Sequence, residues 1–95
     1  MAVTPEARPL FTWTPDCVIG ALQVGTPPAQ GPIDWLWKIR GRSALIPSGV
    51  RHGVLPTGAF QETAPSDLQS GSVFSVYVFG ADGQFLGGAA EIVVP

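Results

Sequence analysis

The clearest alternation of apolar and polar positions in the chain lies in segment 33–40. The apolar side chains of this pattern are Trp35, Trp37 and Ile39. Successive side chains of an extended chain point to opposite faces, so a period of two predicts a β-strand. We therefore expect both indoles to face a buried core together, and the charged side chains between and beyond them to face solvent.

Further short apolar runs, each bounded by proline, glycine or aspartate, predict a series of strands. These runs are 10–14, 18–24, 44–47 and 50–56. Prolines end the last two, which is typical of edge strands. Residues 1–9 contain two prolines and no periodicity, and we expect an irregular N-terminal tail or edge segment there. Residues 10–95 are predicted to form a single domain.

The C-terminal part of the chain predicts a β-hairpin. Residues 72–79 are apolar on both faces, as in a central strand covered from two sides, and a return strand begins at Phe85. Between them, Asp82-Gly83 favours a type I′ turn, which needs two residues at positive φ. Segment 57–70 lacks periodicity and is expected to be irregular, with room for one helical turn capped by Ser66.

Composition agrees with many strands joined by turns. The 95 residues suit one domain that folds without metals or disulfides, and the twelve glycines and ten prolines lie between the apolar runs. A formal charge of −2 disfavours nucleic acid as a partner, since phosphate affinity needs several Lys and Arg contacts. Neither a membrane-inserting stretch nor a signal peptide is recognisable, so the localisation stays unknown; an excised extracellular or envelope module is one interpretation.

Two stretches resemble fibronectin type III-like domains. Leu10-Phe11-Thr12-Trp13-Thr14-Pro15 is similar to their second strand, in which a core tryptophan precedes a proline-containing turn. Segment 68–78 is similar to their L-x-x-G-x-x-Y-x-V-x-V stretch, with Phe74 in place of the corner tyrosine. The resemblance implies an all-β fold, an immunoglobulin-like or fibronectin type III-like antiparallel β-sandwich of about seven strands. That fold hosts adhesion, carbohydrate-binding and assembly modules, so it does not decide the function.

Candidates for nucleophilic catalysis are few. Arg51-His52-Gly53 matches the core of the histidine phosphatase signature, but that family needs a second histidine and His52 is the only one here. Nothing in the sequence places Cys17 beside His52, and Cys17, which follows Pro15-Asp16 at a strand junction, is expected to be a small buried or half-buried residue. One histidine and one cysteine fall short of a zinc site and the acidic residues are scattered, so no metal or other cofactor is predicted.

The basic residues cluster in the middle of the chain. Four of the five lie within positions 38–51, namely Lys38, Arg40, Arg42 and Arg51. Beside two tryptophans they suggest a nucleic-acid surface, but in a regular strand these charges and indoles point to opposite faces, and only a bulge would change that. We favour a core-facing row of indoles with a solvated outer face. The functional alternative is a basic patch that meets an acidic protein partner.

The leading hypothesis is therefore a non-enzymatic protein-interaction or structural module, with another protein as its partner. The alternative is a carbohydrate-binding module that stacks a glycan on an exposed tryptophan. The third hypothesis is a small hydrolase acting through His52. Neither nucleic acid nor membrane insertion is expected. Candidate binding residues are Trp35, Trp37, Lys38, Arg40, Arg42, Arg51 and His52.

Overall fold

The computed structural model describes residues 1–13, 18–27, 31–42 and 45–95. All regular secondary structure within these ranges is β-strand. The strands are β1 (Ala2–Val3), β2 (Leu10–Thr12), β3 (Ala21–Gly25), β4 (Trp35–Gly41), β5 (Val50–Arg51), β6 (Ala59–Thr63), β7 (Val73–Phe79) and β8 (Phe85–Val93). The fold class is all-β, as the sequence predicts.

The strands form two antiparallel sheets that share one hydrophobic core. One sheet has the order β1-β2-β5 and the other the order β6-β4-β3-β7-β8. Phe11 on β2 and Phe74 on β7 meet edge-on across the core, with ring centroids 6.5 Å apart. Two sheets that bury facing side chains in this way are compatible with a β-sandwich.

Alternation along the central strands selects the side chains of the core. Leu22 and Val24 of β3 are fully buried, and their cross-strand neighbours on β7 are Val78 and Val76, which are buried as well. Burial of one such side chain stabilises the fold by about 1.5–3 kcal/mol. The other large buried side chains of the core are Phe11, Trp13, Ile19, Trp37, Ile39, Ile46, Val50, Leu68, Phe74 and Val94.

A β-bulge in β4 changes the face on which Trp35 lies. Val24 pairs with Trp37, whereas the next residue, Gly25, pairs with Trp35, so Leu36 is the extra residue of the bulge. Leu36 packs against the core and Trp35 turns away from it, against an aromatic side chain of β7. The prediction that both indoles share the buried face is therefore wrong for Trp35 and confirmed for Trp37.

Strand β6 corrects the expectation that segment 57–70 is irregular. It pairs antiparallel with β4, and its Gln61 Oε1 accepts a hydrogen bond of 2.9 Å from Nε1 of Trp37. This strand depends on its pairing partner, because its own sequence carries little strand propensity. The predicted helical turn is also absent: Ser66 lies in irregular chain and donates its backbone N–H to the carbonyl of Leu36 at 2.7 Å.

The β7–β8 hairpin is confirmed, but its turn is not of type I′. Phe79 pairs with Phe85, and Gly80 donates its N–H to the carbonyl of Gln84 at 2.8 Å, which closes a loop longer than two residues. Gly83 has a φ of 85°, while Asp82 is not among the described residues with positive φ. Strand β7 lies between β3 and β8 and is a central strand, as expected, but Val73, Tyr77 and Phe79 on its outward side are half-buried, whereas Phe74, Val76 and Val78 on its inward side are buried.

Other elements are shorter than the sequence predicts. The run 18–24 becomes a strand only from Ala21, preceded by a single bridge between Ile19 and Ile46. That bridge is all that the predicted strand 44–47 contributes among the described residues. In the predicted N-terminal tail or edge segment, β1 pairs with β2 and lies at the edge of its sheet.

Candidate functional site

The side of the five-stranded sheet that faces away from the core is here called the outer face. The three-stranded sheet lies on the opposite side, where Phe11 of β2 meets Phe74 of β7. Cross-strand pairing arranges the side chains of the outer face in rows. The first row contains Phe60, Arg40, Ala21, Phe79 and Phe85. The second contains Thr63, Lys38, Gln23, Tyr77 and Gly88. The third contains Trp35, Gly25 and Ser75.

Four aromatic rings on the outer face contact one another. The centroid distances are 6.4 Å from Trp35 to Tyr77, 6.4 Å from Tyr77 to Phe85 and 5.7 Å from Phe85 to Phe79. We call these four residues the aromatic cluster. Phe85 is 56% exposed and the other three are half-buried. A contiguous patch of exposed aromatic rings on a sheet face is typical of an interaction surface.

Two glycines make this arrangement of rings possible. A Cβ atom at Gly25 would lie 3.0 Å from a ring carbon of Trp35, so the indole rests over the bare backbone of β3. A Cβ atom at Gly88 would lie 2.1 Å from the carbonyl oxygen of Val76, so only glycine lets β8 approach β7 there. A larger residue at Gly25 would displace the indole, and one at Gly88 would push β8 away from β7.

Basic side chains lie on the same face as the aromatic cluster. Nζ of Lys38 is 4.9 Å from the ring centroid of Trp35, and the guanidinium of Arg42 is 5.6 Å from that of Phe60, both within the range of cation–π attraction. The expectation that the charges and both indoles point in opposite directions is therefore wrong. The bulge at Leu36 is the physical reason, because it reverses the facing of Trp35 alone.

Arg40 lies in the first row and forms an ion pair at the edge of the sheet. Its Nε donates to Oε1 of Glu62 at 3.3 Å, and the two side chains are 52% and 30% exposed. An ion pair in such contact with solvent contributes about 0–1 kcal/mol to stability. The Arg40 guanidinium can therefore exchange this partner for another carboxylate at little free-energy cost.

The remaining candidate residues lie away from the outer face. Trp37 is in the core. Arg51, on β5 of the other sheet, donates to the Glu6 carboxylate and, at 2.8 Å, to the carbonyl of Arg8. This contact with Arg51 lowers the pKa of Glu6. The structure thus separates Trp37, Arg51 and His52 from the candidates that it brings together, which are Trp35, Lys38, Arg40 and Arg42.

His52 is buried between aromatic rings and is only 3% exposed. Its ring centroid lies 5.4 Å from that of Trp37 and 6.4 Å from that of Phe11. Nε2 lies 2.9 Å from the carbonyl oxygen of Ser66, which makes Nε2 the protonated nitrogen and the donor. Nδ1 is enclosed and has no hydrogen-bond partner among the described residues. Burial lowers the pKa of His52, so the imidazole is neutral.

The described residues offer little support for other classes of site. No group of three or more metal-binding side chains occurs among them. Within the same residues the structure contains no helix of the length and apolar character that crossing a bilayer requires. The interpretation of Cys17 as a small, partly buried residue concerns a position outside the described ranges.

Sequence reasoning missed three members of the aromatic cluster, Tyr77, Phe79 and Phe85. The signal was present in segment 72–79, where valines alternate with Tyr77 and Phe79. The small aliphatic positions face the core and the large aromatic positions face outward. A strand that is apolar on both faces can therefore be buried on one side and partly exposed on the other.

The comparisons with known proteins place no constraint on this site. No protein-family model, no characterised protein and no solved structure matches the chain.

Proposed function

We propose that this protein is a non-enzymatic interaction module that binds a protein partner through the outer face of its five-stranded sheet. The observation that carries the proposal is the aromatic cluster on the outer face, with Lys38 and Arg40 beside it. Aromatic and arginine side chains are the residue types that dominate binding free energy at protein interfaces.

The tilt of the rings favours a protein surface over a glycan. Trp35 and Tyr77 are inclined by 76°, Tyr77 and Phe85 by 54°, and Phe79 and Phe85 by 63°. Consecutive sugar rings of a flat glycan need ring faces that lie roughly in one plane, which these inclinations do not provide. Side chains of a protein partner can insert between tilted rings. Carbohydrate binding on the half-exposed Trp35 is the second candidate.

An immunoglobulin-like or fibronectin type III-like topology belongs to the same proposal. If β1, β2 and β5 correspond to strands A, B and E of that fold, and β4, β3, β7 and β8 to strands C′, C, F and G, the observed order of both sheets follows apart from β6. Strand β6 departs from the pattern, because it follows β5 in the chain yet pairs with β4. An experimental structure with a different strand order would overturn this assignment.

Site-specific photo-crosslinking tests the proposed surface. A benzophenone amino acid replaces Phe85 in the native host, and a matched control carries it at Val54, which is 50% exposed and lies just after β5 of the other sheet. We expect a discrete protein adduct from position 85 and none from position 54. After identification, the purified partner should bind Phe79→Ser about 30-fold more weakly, since truncation of a hot-spot residue removes about 2 kcal/mol.

The same experiment separates the alternatives. Identical adducts from both positions, or unchanged affinity of the Phe79→Ser variant, would refute the outer face as the binding surface. Adducts to a second copy of the chain would identify a structural, self-assembling module instead. A glycan array that gives saturable binding abolished by Trp35→Ala would establish the carbohydrate alternative.

A further inference from the structure

Strand β8 is the last strand of the five-stranded sheet, and among the described strands none pairs with its outer edge. Exposed edges are usually protected by short length, proline or charged side chains. At the opposite edge of the same sheet, β6 has five residues and carries Glu62, whereas β8 has nine residues. Its segment 85–89, here called the open edge, contains neither proline nor a charged residue. Apart from a bulge at Leu86, the open edge therefore lacks the usual protections against pairing with a further strand.

The backbone of Gly88 directs its hydrogen-bonding groups toward the open edge. In an antiparallel pair of strands, residues that exchange N–H···O=C bonds alternate with residues that point these groups away from each other. The carbonyl of Phe79 accepts a hydrogen bond from the N–H of Gly20, on the side of β7 that faces β3. Tyr77 is two residues away on β7, so its backbone groups point toward β3 as well. Because Tyr77 is the residue opposite Gly88, the N–H and C=O of Gly88 point away from β7 and out of the sheet.

A small notch lies beside this backbone. It is bordered by Val76, Tyr77, Phe85, Gly88 and Ala89 and has a volume of about 180 Å³. The notch exists because Gly88 has no side chain and because the bulge at Leu86 places Phe85 and Gly88 on the same face of the sheet. A Cβ atom at position 88 would lie 2.1 Å from the carbonyl oxygen of Val76. Strand β8 therefore cannot fill this space with a side chain of its own at that position.

We propose that the open edge binds an extended segment of the protein partner as an additional strand, with an aromatic side chain of that segment over Gly88; this inference rests on the proposed function. An extended chain offers N–H and C=O groups at the spacing of a strand edge, so the backbone of Gly88 selects this kind of occupant. In an antiparallel arrangement, the residue opposite Gly88 exchanges both N–H···O=C bonds with it across a Cα separation of about 5.5 Å. The side chain of that residue lies beside the notch, where an aromatic ring covers the glycine and contacts Tyr77 and Phe85.

A second copy of the chain fits the open edge less well than such a partner. Two copies of β8 that pair around Gly88 place glycine opposite glycine, and both notches then stay unfilled. The bulge at Leu86 also separates Phe85 from Gly88 by an odd number of residues although both face outward, so a regular antiparallel register cannot pair Phe85 of each copy with Gly88 of the other. The occupant is therefore a different chain that supplies its own aromatic residue.

The direction of the Gly88 amide is tested first in the free protein. The amides of Gly87 and Ala89 point toward β7, since these residues alternate with Gly88 in the pairing of the two strands. We expect the Gly88 amide to exchange with D₂O at least about tenfold faster than both neighbours, because it lacks a partner within the sheet. Similar protection of all three amides would overturn the inference.

The probe for binding is a capped seven-residue peptide of alternating threonine and valine with tryptophan at its centre, titrated into the ¹⁵N-labelled protein. We expect saturable chemical-shift changes at the amides of Phe85 and Gly88, and slower hydrogen exchange at Gly88. Replacement of the tryptophan by alanine, or methylation of its backbone nitrogen, should each weaken binding about tenfold. The first change removes the ring and the second removes one backbone hydrogen bond.

Two matched variants of β8 locate the binding segment. Leu86 is 51% exposed within the open edge, and Val93 is 60% exposed beyond Glu91, whose positive φ of 56° interrupts the strand. Leu86→Lys introduces a charge that discourages strand addition and should weaken peptide binding about tenfold. Val93→Lys adds the same charge to the same strand and should leave binding unchanged. The NMR spectra of both free variants show whether each retains the fold.

The outcomes distinguish this inference from the proposed function. Absence of saturable peptide binding, equal binding of the N-methylated peptide, or a folded Leu86→Lys variant that binds normally overturns the role of the open edge. If the crosslinked partner is sensitive to Phe79→Ser but insensitive to Leu86→Lys, the outer face binds the partner and the open-edge inference fails. A concentration-dependent dimer with a protected Gly88 amide assigns the edge to a second copy and also overturns it. Loss of partner binding in both variants, with protection of the Gly88 amide by the partner, supports both proposals.

Discussion

Stability of this protein should fall as the pH is lowered from 7 to 5, because of one buried histidine. His52 is the only histidine of the chain. Burial holds its pKa below the ordinary value of 6.5; the charge of Arg8 acts in the same direction, and the Ser66 carbonyl and Asp67 oppose it. Protonation would place a cation where water cannot solvate it, so the folded state resists it.

The sign and size of the effect follow from proton binding. Between pH 6.5 and the lowered pKa of the folded state, the unfolded chain binds a proton at His52 that the folded chain does not. The free energy of unfolding therefore decreases as the pH falls through this window, and levels off once the folded state is protonated as well. One proton corresponds to at most about 1.4 kcal/mol per pH unit. Because 1 kcal/mol shifts the Tm of a domain this size by about 4–8 °C, we expect a decrease of several degrees per pH unit.

Urea unfolding followed by tryptophan fluorescence, at half-unit steps from pH 7.5 to 5.0, measures the slope. His52→Gln is the control, since its amide can still donate to the carbonyl of Ser66 while it cannot titrate. The pKa of Glu6 is lowered from 4.5, so the stability that Glu6 adds is lost mainly below that pH, and any loss near pH 5 is the same in the control. A flat profile of wild-type stability, or an equal slope in the control, would refute the reasoning.

Three further predictions follow from packing. Phe74→Ala should destabilise the fold by about 3–5 kcal/mol, whereas Phe85→Ala, at a 56% exposed site, should cost at most about 1 kcal/mol. Equal losses of unfolding free energy in chemical denaturation would contradict the assignment of Phe74 to the core and of Phe85 to the outer face. Gly88→Ala places a Cβ 2.1 Å from a carbonyl oxygen of β7, so β8 should be pushed away from β7 and its amide hydrogens should exchange faster. Unchanged protection of the β8 amides would count against this close approach. Deletion of Leu36 removes the extra residue of the bulge, so Trp35 directly precedes Trp37 and still faces outward. We expect a lower Tm, because the packing of Leu36 on the core is lost, and unchanged acrylamide quenching of Trp35; loss of that quenching would contradict the bulge.

The sequence predicts the fold correctly where the local pattern of side chains agrees with the pairing of the strands. Trp37 and Ile39 follow the period of two and are buried, and the hairpin around Asp82-Gly83 forms where the turn residues place it. The facing of Trp35 could not be predicted, because the bulge depends on pairing with Gly25, a residue on another strand. Local periodicity carries no information about such pairing.

The candidate site could be predicted only in part, for a related reason. Lys38 and Arg40 were recognised from their spacing, but their aromatic neighbours come from β7 and β8, about forty residues later, and are joined to them only by the strand order. Strand β6 was not predicted, because its extended conformation depends more on pairing with β4 than on its own side chains. His52 stood out as a rare residue type, yet the structure assigns it to the core.

The bulge at Leu36 makes the outer face tolerant of one change in chain length. If the codon of Leu36 were lost, Trp35 and Trp37 would become neighbours in a regular strand and would keep their opposite faces. Related chains that lack a residue at this position would therefore be expected to present the same indole outward and to enclose the same one.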